Sequence, residues 1–355
     1  MAEQALAAAE LRRLDTALND IESVRAACVA FRHVYARLRA AVGSVLVGQD
    51  AVVHQALIAL FADGHILLEG VPGLGKTLLV RTLGHVLSLP FARIQFTPDV
   101  MPADITGTTV VNEDPATGRR SFVFERGPLF HQLVLADEIN RATPKSQSAL
   151  LEAMQERSIS VAGETHHLVR PFFVMATQNP IEQEGTYALP EAQLDRFLFK
   201  ISVPFTSRSE MNEIVGRTTK TAVPDPPAML DADTILRAQR LARRIIVAPH
   251  VQDFAVRLTL ATHPGSSHAV ESIEKYIAVG VSPRGAQSLI TASKVRALVD
   301  GRFHVAFHDL AEMAAPAMRH RIIPSFEAES DGVSTDDIIA HLLANVPHEA
   351  DAEDA

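Results

Sequence analysis

Short apolar runs that alternate with helical stretches organise the chain from residue 45 onward. Five runs are rich in Leu, Ile, Val and Phe and end at turn residues: HILLEG at 65–70, FARIQF at 91–96, LVLADE at 133–138, FFVMATQN at 172–179 and FLFKISV at 197–203. Runs of this kind are typical of buried parallel strands joined by helices. The pattern therefore predicts an α/β domain with three layers and a five-stranded parallel sheet.

Before residue 45 the apolar positions follow a helical period instead. They recur at steps of three or four, with one gap of seven, which places them on one helical face: Leu11, Leu14, Leu18, Ile21, Cys28, Phe31, Val34, Leu38 and Val42. We therefore expect helices over most of residues 5–42. Packing against the domain that follows and docking of a partner protein are both open explanations of this stripe.

Two segments between the predicted strands carry hairpin signals. Each pairs two short stretches of β-forming residues across a turn: Val110–Val111 with Ser121–Phe124 across 112–118, and Ser158–Val161 with His167–Val169 across Gly163 and Glu164. We expect both hairpins to decorate the sheet rather than extend it. Phe122 and Phe124 share one side of their strand by alternation.

A proline-rich break at 224–227 ends the region of predicted strands. Beyond it the pattern is helical to about residue 320, and a last short helix is expected near Thr335–Leu343, with Ser334 or Thr335 as its N-cap. The final residues, HEADAEDA, are too polar to form a core. We expect a helical extension (1–42), an α/β nucleotide-binding core with two hairpins (43–205), a small α-helical lid domain (206–345) and an acidic mobile tail (346–355).

Composition fits an ordinary globular protein of two domains. The chain has 355 residues, of which 47% are hydrophobic and 21% are charged. A formal charge of -9 and a pI near 5.9 disfavour duplex DNA as a partner. The single cysteine, Cys28, excludes an intramolecular disulfide and a thiolate metal cluster. Since the sequence shows neither a secretory signal nor an apolar stretch of about 18 residues, we expect a cytoplasmic protein without a transmembrane segment.

The run GVPGLGKT at 70–77 matches the phosphate-binding pattern G-x-x-x-x-G-K-[ST], and it lies between a predicted strand and a predicted helix. Its glycines allow a tight turn that points backbone amides at phosphate oxygens, and the helix N-terminus adds to that field. Lys76 is expected to contact the β- and γ-phosphates, and Thr77 to give Mg²⁺ a hydroxyl ligand. The residues of this segment predicted to contact ATP are Gly70, Pro72, Gly73, Leu74, Gly75, Lys76, Thr77 and Leu78.

Polar residues end the third and fourth predicted strands. Asp137 comes at a carboxyl end beside the phosphate loop, where an acid can hold Mg²⁺. Glu138 is expected on the opposite side of the strand end, where its carboxylate can deprotonate the attacking water. Asn179 can hold that water through its amide. The alternatives are a helix cap for the two acids and a turn before Pro180 for Asn179.

Six segments together resemble the MoxR family of AAA+ ATPases: GVPGLGKT, LADEINRA, SALLEAMQE, FFVMATQNP, LPEAQLDRF and SPRGAQSL. The resemblance covers about residues 33–345 and keeps the family's motif order and spacing. It implies a P-loop AAA+ core followed by a helical lid, a ring that is usually hexameric, and Mg-ATP hydrolysis coupled to chaperone-like maturation or activation of a client protein. Such clients often carry a von Willebrand factor A domain.

The resemblance also implies roles for single residues. Lys76 and Thr77 match the Walker A pair, Asp137 and Glu138 match the Walker B pair, and Asn179 matches sensor 1. In this clade an insertion in the region of the first hairpin approaches the ring pore. Its two phenylalanines are therefore candidates for client contact, and packing of the hairpin itself is the alternative.

Two arginines outside the phosphate loop complete the implied site. Arg196 in LDRF matches the arginine finger that reaches the neighbouring subunit's nucleotide, and Arg284 in SPR matches sensor 2 on the lid. A guanidinium can stabilise the charge that develops on phosphate oxygens during hydrolysis. A surface salt bridge and a solvated helix start are the respective alternatives. Val47 and Gly48, with Gln49, match the loop that packs on adenine.

Other functions are less well supported by the residues. His166 and His167 are adjacent and point to opposite sides of any strand, which is poor geometry for a metal site. A GTPase needs an N-K-x-D element that the fourth strand end lacks, and a kinase does not explain the two arginines. A nucleic-acid-associated AAA+ motor or loader shares every nucleotide residue and is the remaining alternative. Arg141 either faces a neighbour's nucleotide or makes a local cap or ion pair.

Overall fold

The structure, a computed structural model, describes residues 21–71, 73–113, 120–180, 185–219 and 225–348. The strands within these ranges are β1 (Ile66–Glu69), β2 (Phe91–Gln95), β3 (Gly107–Glu113), β4 (Arg120–Arg126), β5 (Leu133–Asp137), β6 (Ser158–Val161), β7 (Glu164–His167), β8 (Phe173–Gln178), β9 (Phe199–Ser202), β10 (Ile277–Val279) and β11 (Ile323–Pro324). Short 3-10 turns cover Pro128–Phe130 and Ile139–Arg141.

The α-helices precede, connect and follow these strands. They are α1 (Ile21–Val45), α2 (Asp50–Phe61), α3 (Lys76–Val86), α4 (Pro102–Thr106), α5 (Pro144–Glu156), α6 (Glu191–Leu194), α7 (Arg208–Thr218), α8 (Ala232–Arg243), α9 (Pro249–Leu260), α10 (Glu271–Glu274), α11 (Pro283–Val299), α12 (Phe307–Met318), α13 (Phe326–Asp331) and α14 (Thr335–Asn345). No helix in the described part of the chain has both the length and the apolar character that a membrane crossing requires.

The five predicted core strands form one parallel sheet in the order β2-β5-β8-β1-β9. Side chains that alternate along β5 enter different apolar clusters: Leu133 and Leu135 face one cluster, and Val134 and Ala136 face the other. Both faces of the sheet are therefore covered, which explains why its inner strands are apolar at nearly every position. The predicted three-layered α/β fold with a five-stranded parallel sheet is confirmed.

Both predicted hairpins are antiparallel pairs outside this sheet. The second differs in register from the prediction, because its returning strand is Glu164–His167 and not His167–Val169. Ala162 and Gly163 have positive φ values of 52° and 85° and form a two-residue turn, so that Val161 pairs directly with Glu164. The turn therefore begins one residue earlier than the Gly163–Glu164 pair suggests.

The two hairpins contact each other through aromatic side chains. Phe124 stacks on His166 with ring centroids 4.4 Å apart, and it also meets Phe130 edge-on. Phe122, in contrast, is 80% exposed. The two phenylalanines therefore differ: one packs the base of the hairpin, and the other faces outward. Most of the turn predicted at 112–118 lies outside the described residues.

Helix α1 buries the apolar stripe that the sequence shows over its length. Cys28, Phe31 and Leu38 are buried in a cluster that continues through α2 into the lid helices, whereas Ile21 is 72% exposed. Core packing therefore accounts for the stripe from Cys28 to Val42; residues 1–20, with the first three stripe leucines, lie outside the described residues. Because this cluster is continuous, the domain boundaries at 42 and 205 are not marked by a break in packing and stay predictions.

Residues from 225 onward are mainly helical, as the sequence predicts. A short antiparallel pair, β10 with β11, interrupts the helices. The last helix, α14, follows Ser334, whose hydroxyl accepts a hydrogen bond from the backbone N–H of Asp337 at 3.2 Å. Of the two residues predicted as its N-cap, Ser334 therefore has that position. The predicted mobile tail, 346–355, is packed at its start: Val346 is buried, and Arg257 donates to the backbone carbonyls of Pro347 at 2.8 Å and His348 at 3.2 Å. The residues from 349 onward lie outside the described residues.

Candidate active site

The phosphate loop joins the carboxyl end of β1 to the first turn of α3. Gly73 and Gly75 have φ values of 85° and 78°, in the left-handed region that favours glycine. A Cβ at Gly70 would lie 2.9 Å from Cβ of Val203, so a side chain there would collide with the chain after β9. The Lys76 ammonium donates to the Gly70 carbonyl at 2.5 Å, across the mouth of the loop. Pro72 lies outside the described residues.

An apolar pocket of about 240 Å³ adjoins this loop. Of the residues predicted to contact ATP, Val47, Gly73, Leu74, Gly75 and Leu78 line it. The Gln49 side-chain amide donates to the Leu74 carbonyl and so ties the 47–49 segment to the loop. The pocket's apolar lining suits a heteroaromatic base beside a phosphate site.

Two features of this pocket depart from the prediction. Gly48 is not among the lining residues; its φ of 74° and the nearby Glu210 side chain explain why glycine stands there. Helix α7 supplies Ile214, Arg217 and Thr218, which sequence reasoning missed. No local motif marks these three residues, because they reach the pocket only through the chain's return after β9.

Asp137, at the carboxyl end of β5, lies in a polar cluster beside the loop. Its carboxylate accepts from the Thr177 hydroxyl at 2.6 Å and from the Arg93 guanidinium at 2.7 Å and 3.1 Å. The Asp137 side chain is only 13% exposed. Carboxylate and hydroxyl oxygens are the ligands that Mg²⁺ prefers, so Asp137 and the half-buried Thr77 fit this ion by the chemistry of their donor atoms.

Strand alternation, on which the predicted position of Glu138 rested, does not extend to this residue. Its backbone is left-handed, with φ 57° and ψ 49°, so the strand pattern ends at Asp137. The Glu138 carboxylate accepts from the Gln95 amide at 2.8 Å and from Arg141 at 3.0 Å. Because Gln95 also accepts from Arg93 at 2.5 Å, both acids belong to one connected cluster.

Arg93 and Gln95 are site neighbours that sequence reasoning missed. They are two residues apart on β2, which pairs with β5 in the register that puts Gln95 opposite Asp137. The signal was the pair of polar positions in FARIQF, which are unusual for a buried strand. Arg141, which the sequence left open, forms a local ion pair with Glu138.

Asn179 follows the strand that lies between the acids and the phosphate loop. β8 pairs with β5 on one side and with β1 on the other, and Gln178 lies opposite Glu69, the residue before the loop. Asn179 is buried, with 6% exposure. Its position between Lys76 and Asp137 suits contact with a phosphate or a water, and a turn role before Pro180 is compatible with the same position.

Arg196 and Arg284 do not lie at this edge of the sheet. They line a second pocket, of about 330 Å³, together with the chain at 62–65 that leads into β1. This pocket, called the arginine pocket below, therefore lies at the amino edge of the sheet, while the phosphate loop lies at the carboxyl edge. A strand of four residues separates the two edges by ~10 Å or more.

The arginine pocket carries a surplus of positive charge. Arg157, Arg196, Arg284 and Arg321 line it against two aspartates, Asp63 and Asp195. The Arg284 side chain is 53% exposed, and its guanidinium lies 3.8 Å from the Asp195 carboxylate. Among the described residues, no acceptor lies within hydrogen-bonding distance of the buried Nε of Arg196.

Asp63 holds one wall of the pocket through ion pairs. Its nearly buried carboxylate lies 2.9 Å from Arg157, 2.7 Å from Arg170 and 2.9 Å from Arg243, so it joins three distant segments. His65 lies beside it; burial and the nearby Arg157 lower the pKa of His65 to about 4. The imidazole is therefore neutral, and its Nδ1 accepts from the backbone N–H of Val174 at 3.0 Å.

Comparisons with known proteins match two segments of the chain to family models. Residues 65–199 match the family described as ATPase family associated with various cellular activities (AAA), and residues 271–342 match the AAA lid domain. The chain is 43% identical to Chaperone MoxR1 of Mycobacterium tuberculosis over 314 residues, which cover 88% of this chain and 82% of that protein.

Two further relatives extend the comparison. Over 306 residues the chain is 38% identical to the uncharacterized protein YeaC of Bacillus subtilis, with 86% of this chain and 92% of that protein covered. The crystal structure of a candidate ATPase from Cytophaga hutchinsonii has a TM-score of 0.83 and 38% identity, and it covers 90% of this chain and 96% of its own.

Proposed function

The chain belongs to the MoxR family of AAA+ ATPases and therefore hydrolyses ATP, and we propose that it does so as a ring. Rings of this family are usually hexameric. In the proposed ring, each nucleotide site is completed by residues of the neighbouring subunit. The observation that carries this proposal is the separation of the two edges. Lys76 and both acids lie at the carboxyl edge, whereas Arg196 and Arg284 lie together at the amino edge. One copy of the chain holds both halves but cannot join them.

A head-to-tail contact between copies would join them. In such a contact the surface that one copy presents differs from the surface it meets, so repetition closes a ring when the rotation allows. The positively charged pocket of one subunit then faces the phosphate loop of the next. The guanidinium groups of the half-buried Arg196 and the exposed Arg284 then give donors for the neighbour's γ-phosphate.

Each residue then has a chemical task. Lys76 and the loop amides hold the phosphates, while Thr77 and Asp137 hold Mg²⁺, which neutralises charge on the phosphate oxygens when bound. Glu138 accepts the proton of the attacking water, and Asn179 orients that water. The arginines from the neighbour stabilise charge that develops in the transition state.

We further propose that hydrolysis remodels or activates a partner protein, often one with a von Willebrand factor A domain in this family. The outward face of the first hairpin supports client contact, because Phe122 and its cross-strand partner Val111 are 80% and 57% exposed. The relative in Mycobacterium tuberculosis is named as a chaperone. We propose the cytoplasm as its location, since a chain with a single cysteine, Cys28, does not depend on an intramolecular disulfide for its stability.

Mixed rings test the shared site directly. An Arg196→Ala subunit keeps its phosphate loop but offers no finger, and a Lys76→Ala subunit does the reverse. Each variant alone should be inactive, and co-assembly should restore part of the ATPase rate at interfaces that join an intact loop to an intact finger. Arg240→Ala, which removes an exposed arginine that lines neither pocket, is the matched control and should keep the parental rate.

The mixing experiment also has a clear negative outcome. If light scattering shows that the two variants assemble together and phosphate release still stays at the level of either variant alone, the shared site is wrong. A preparation that turns over at full rate as a monomer in saturating ATP would contradict it equally.

A further inference from the structure

Three consecutive lid residues at the end of α12 bind the core segment that carries Arg196. Arg319 donates to the Lys200 carbonyl at 3.3 Å and to the Ser202 hydroxyl at 3.0 Å. His320 contacts the Phe197 carbonyl at 3.0 Å. These contacts fasten this part of the lid along β9, beside the segment that carries Arg196.

Arg321 makes the densest set of these contacts. Its guanidinium donates to the Asp195 carboxylate at 2.7 Å and to the backbone carbonyls of Asp195 at 2.9 Å, Phe197 at 2.7 Å and Leu198 at 3.3 Å. The side chain is only 2% exposed. The planar fork of arginine can serve several acceptors in fixed directions, which a lysine ammonium cannot reproduce. Residues on both sides of Arg196 are therefore held by one lid side chain.

The same contacts reach the start of the helix that carries Arg284. Asp195 accepts from the Ser282 hydroxyl at 2.9 Å, two residues before Arg284. Arg321 donates to the Ser288 hydroxyl at 3.2 Å, on the next turn of α11. A Cβ at Gly285 would lie 2.9 Å from Cδ of Arg321, so the helix approaches this side chain as closely as its backbone permits. Arg321 and Asp195 thus link the two arginine-bearing segments.

We propose that Arg321 is a positioning residue that holds Arg196 of the core and Arg284 of the lid at one fixed spacing, so that both enter the neighbouring subunit's nucleotide site as a single rigid unit. This inference rests on the shared site proposed above. Arg321 itself is too deeply buried to touch that nucleotide, so it acts through the two arginines. Its effect should therefore appear in the neighbour's turnover and not in nucleotide binding by its own subunit.

The primary test compares Arg321→Met with Arg319→Met. Both variants remove a lid arginine that binds the β9 segment, but only Arg321 binds Asp195. For Arg321→Met we expect kcat to fall by about 100-fold, the size of effect that misplacing a reacting group produces. The Kd for a fluorescent ATP analogue should stay within about 2-fold, because the phosphate loop is untouched. Arg319→Met should keep kcat within about 3-fold, and Arg321→Lys should lie between the two.

Mixed rings separate positioning from general damage. Arg321→Met subunits keep competent phosphate loops, so mixing with Lys76→Ala subunits should restore part of the ATPase rate, as mixing with Arg196→Ala does. If the Arg196→Ala mixture recovers and the Arg321→Met mixture does not, the positioning role is wrong and the shared site stands. If neither recovers in confirmed mixed rings, the shared site fails and this inference fails with it.

A milder variant covers the case in which Arg321→Met does not fold. Asp195→Asn keeps the side-chain and backbone acceptors but removes the charge that orients Arg321. It should fold, bind the ATP analogue normally and lose kcat by about 10-fold, with recovery in the presence of Lys76→Ala subunits. Parental kcat in folded Asp195→Asn, or an equal loss of binding and turnover, would overturn the proposal.

Discussion

The two edges of the sheet differ in how the chain assembles them. At the carboxyl edge, Lys76 follows the phosphate loop, Asp137 ends β5 and Asn179 follows β8. At the amino edge, Asp63 pairs with arginines that lie between 94 and 180 residues further along the chain. The carboxyl edge is therefore local chemistry on strand ends, and the amino edge is a long-range ion cluster between core and lid.

Because of this difference, substitutions at the two edges should affect different properties of the protein: the ATPase rate at one edge and the folding stability at the other. Each carboxyl-edge acid pairs with one partly exposed arginine, Asp137 with Arg93 and Glu138 with Arg141, and replacing an acid by its amide keeps the size and shape of the side chain. The amino-edge aspartates neutralise several buried or half-buried arginines, so their loss leaves uncompensated charge. We therefore expect substitutions at the carboxyl edge to remove activity from a folded protein, and substitutions at the amino edge to affect stability as well.

The largest effect is expected from Glu138→Gln. The amide keeps the size of the carboxylate but cannot accept a proton from water, so kcat should fall by about 10² to 10⁴-fold. ATP binding should stay at the parental value because the phosphate loop is unchanged. The thermal midpoint should also stay at the parental value because glutamine keeps the size of the side chain. Steady-state phosphate release together with titration of a fluorescent ATP analogue measures both quantities. Turnover within a few-fold of the parent would remove Glu138 as the base.

The same contrast explains what the sequence could predict. The five core strands follow from apolar runs, and the loop and acids follow from motifs at strand ends, because parallel strands bring their carboxyl ends to one edge. The contacts of Arg93 and Gln95 were not predictable without the strand order, since the partner β5 is adjacent to β2 in the sheet and not in the chain. The left-handed turn at Glu138 also has no local signature.

The residues that share the arginine pocket could not be predicted from the sequence. Arg196 and Arg284 were found by resemblance, but nothing in their segments indicates that they share a pocket with Asp63 and Arg157. That arrangement depends on how the lid packs on the core, which hydrophobic periodicity does not encode. The second hairpin shows the same limit on a smaller scale, because the register of β7 was set by a turn at Ala162 that no glycine or asparagine signal identifies.

A medium effect, on stability, is expected from Asp63→Asn. Its side chain is 6% exposed and neutralises three arginines, and asparagine tolerates the positive φ of 61° at this position, so the substitution isolates the charge. We expect a loss of about 2 kcal/mol in the free energy of unfolding, less than the ~3–5 kcal/mol of a fully buried pair because the arginines are partly exposed. Urea denaturation measures it.

The matched control is Asp50→Asn, which breaks an exposed ion pair with Arg39. It should cost less than about 1 kcal/mol, as exposed pairs do. Equal losses for the two variants would mean that the amino-edge cluster contributes no more than a surface pair, and the contrast between the edges would disappear.

The smallest effect is a pH dependence that belongs to the amino edge through His65. In the folded chain burial and Arg157 hold the pKa of His65 at about 4, against 6.5 in the unfolded chain, while the nearby Asp63 opposes this shift. Between these values the unfolded state binds the extra proton, so the His65 contribution to stability is complete above pH 6.5 and is lost as the pH falls toward 4. At pH 5.5 the loss amounts to about 1 kcal/mol.

In His65→Asn the amide oxygen can still accept from the Val174 N–H but does not titrate. Urea denaturation at pH 7.5 and 5.5 should therefore show a decrease about 1 kcal/mol larger for the parent than for His65→Asn, whereas Glu138→Gln should follow the parent. An equal decrease in parent and His65→Asn would mean that the histidine at the amino edge is not held neutral by its burial.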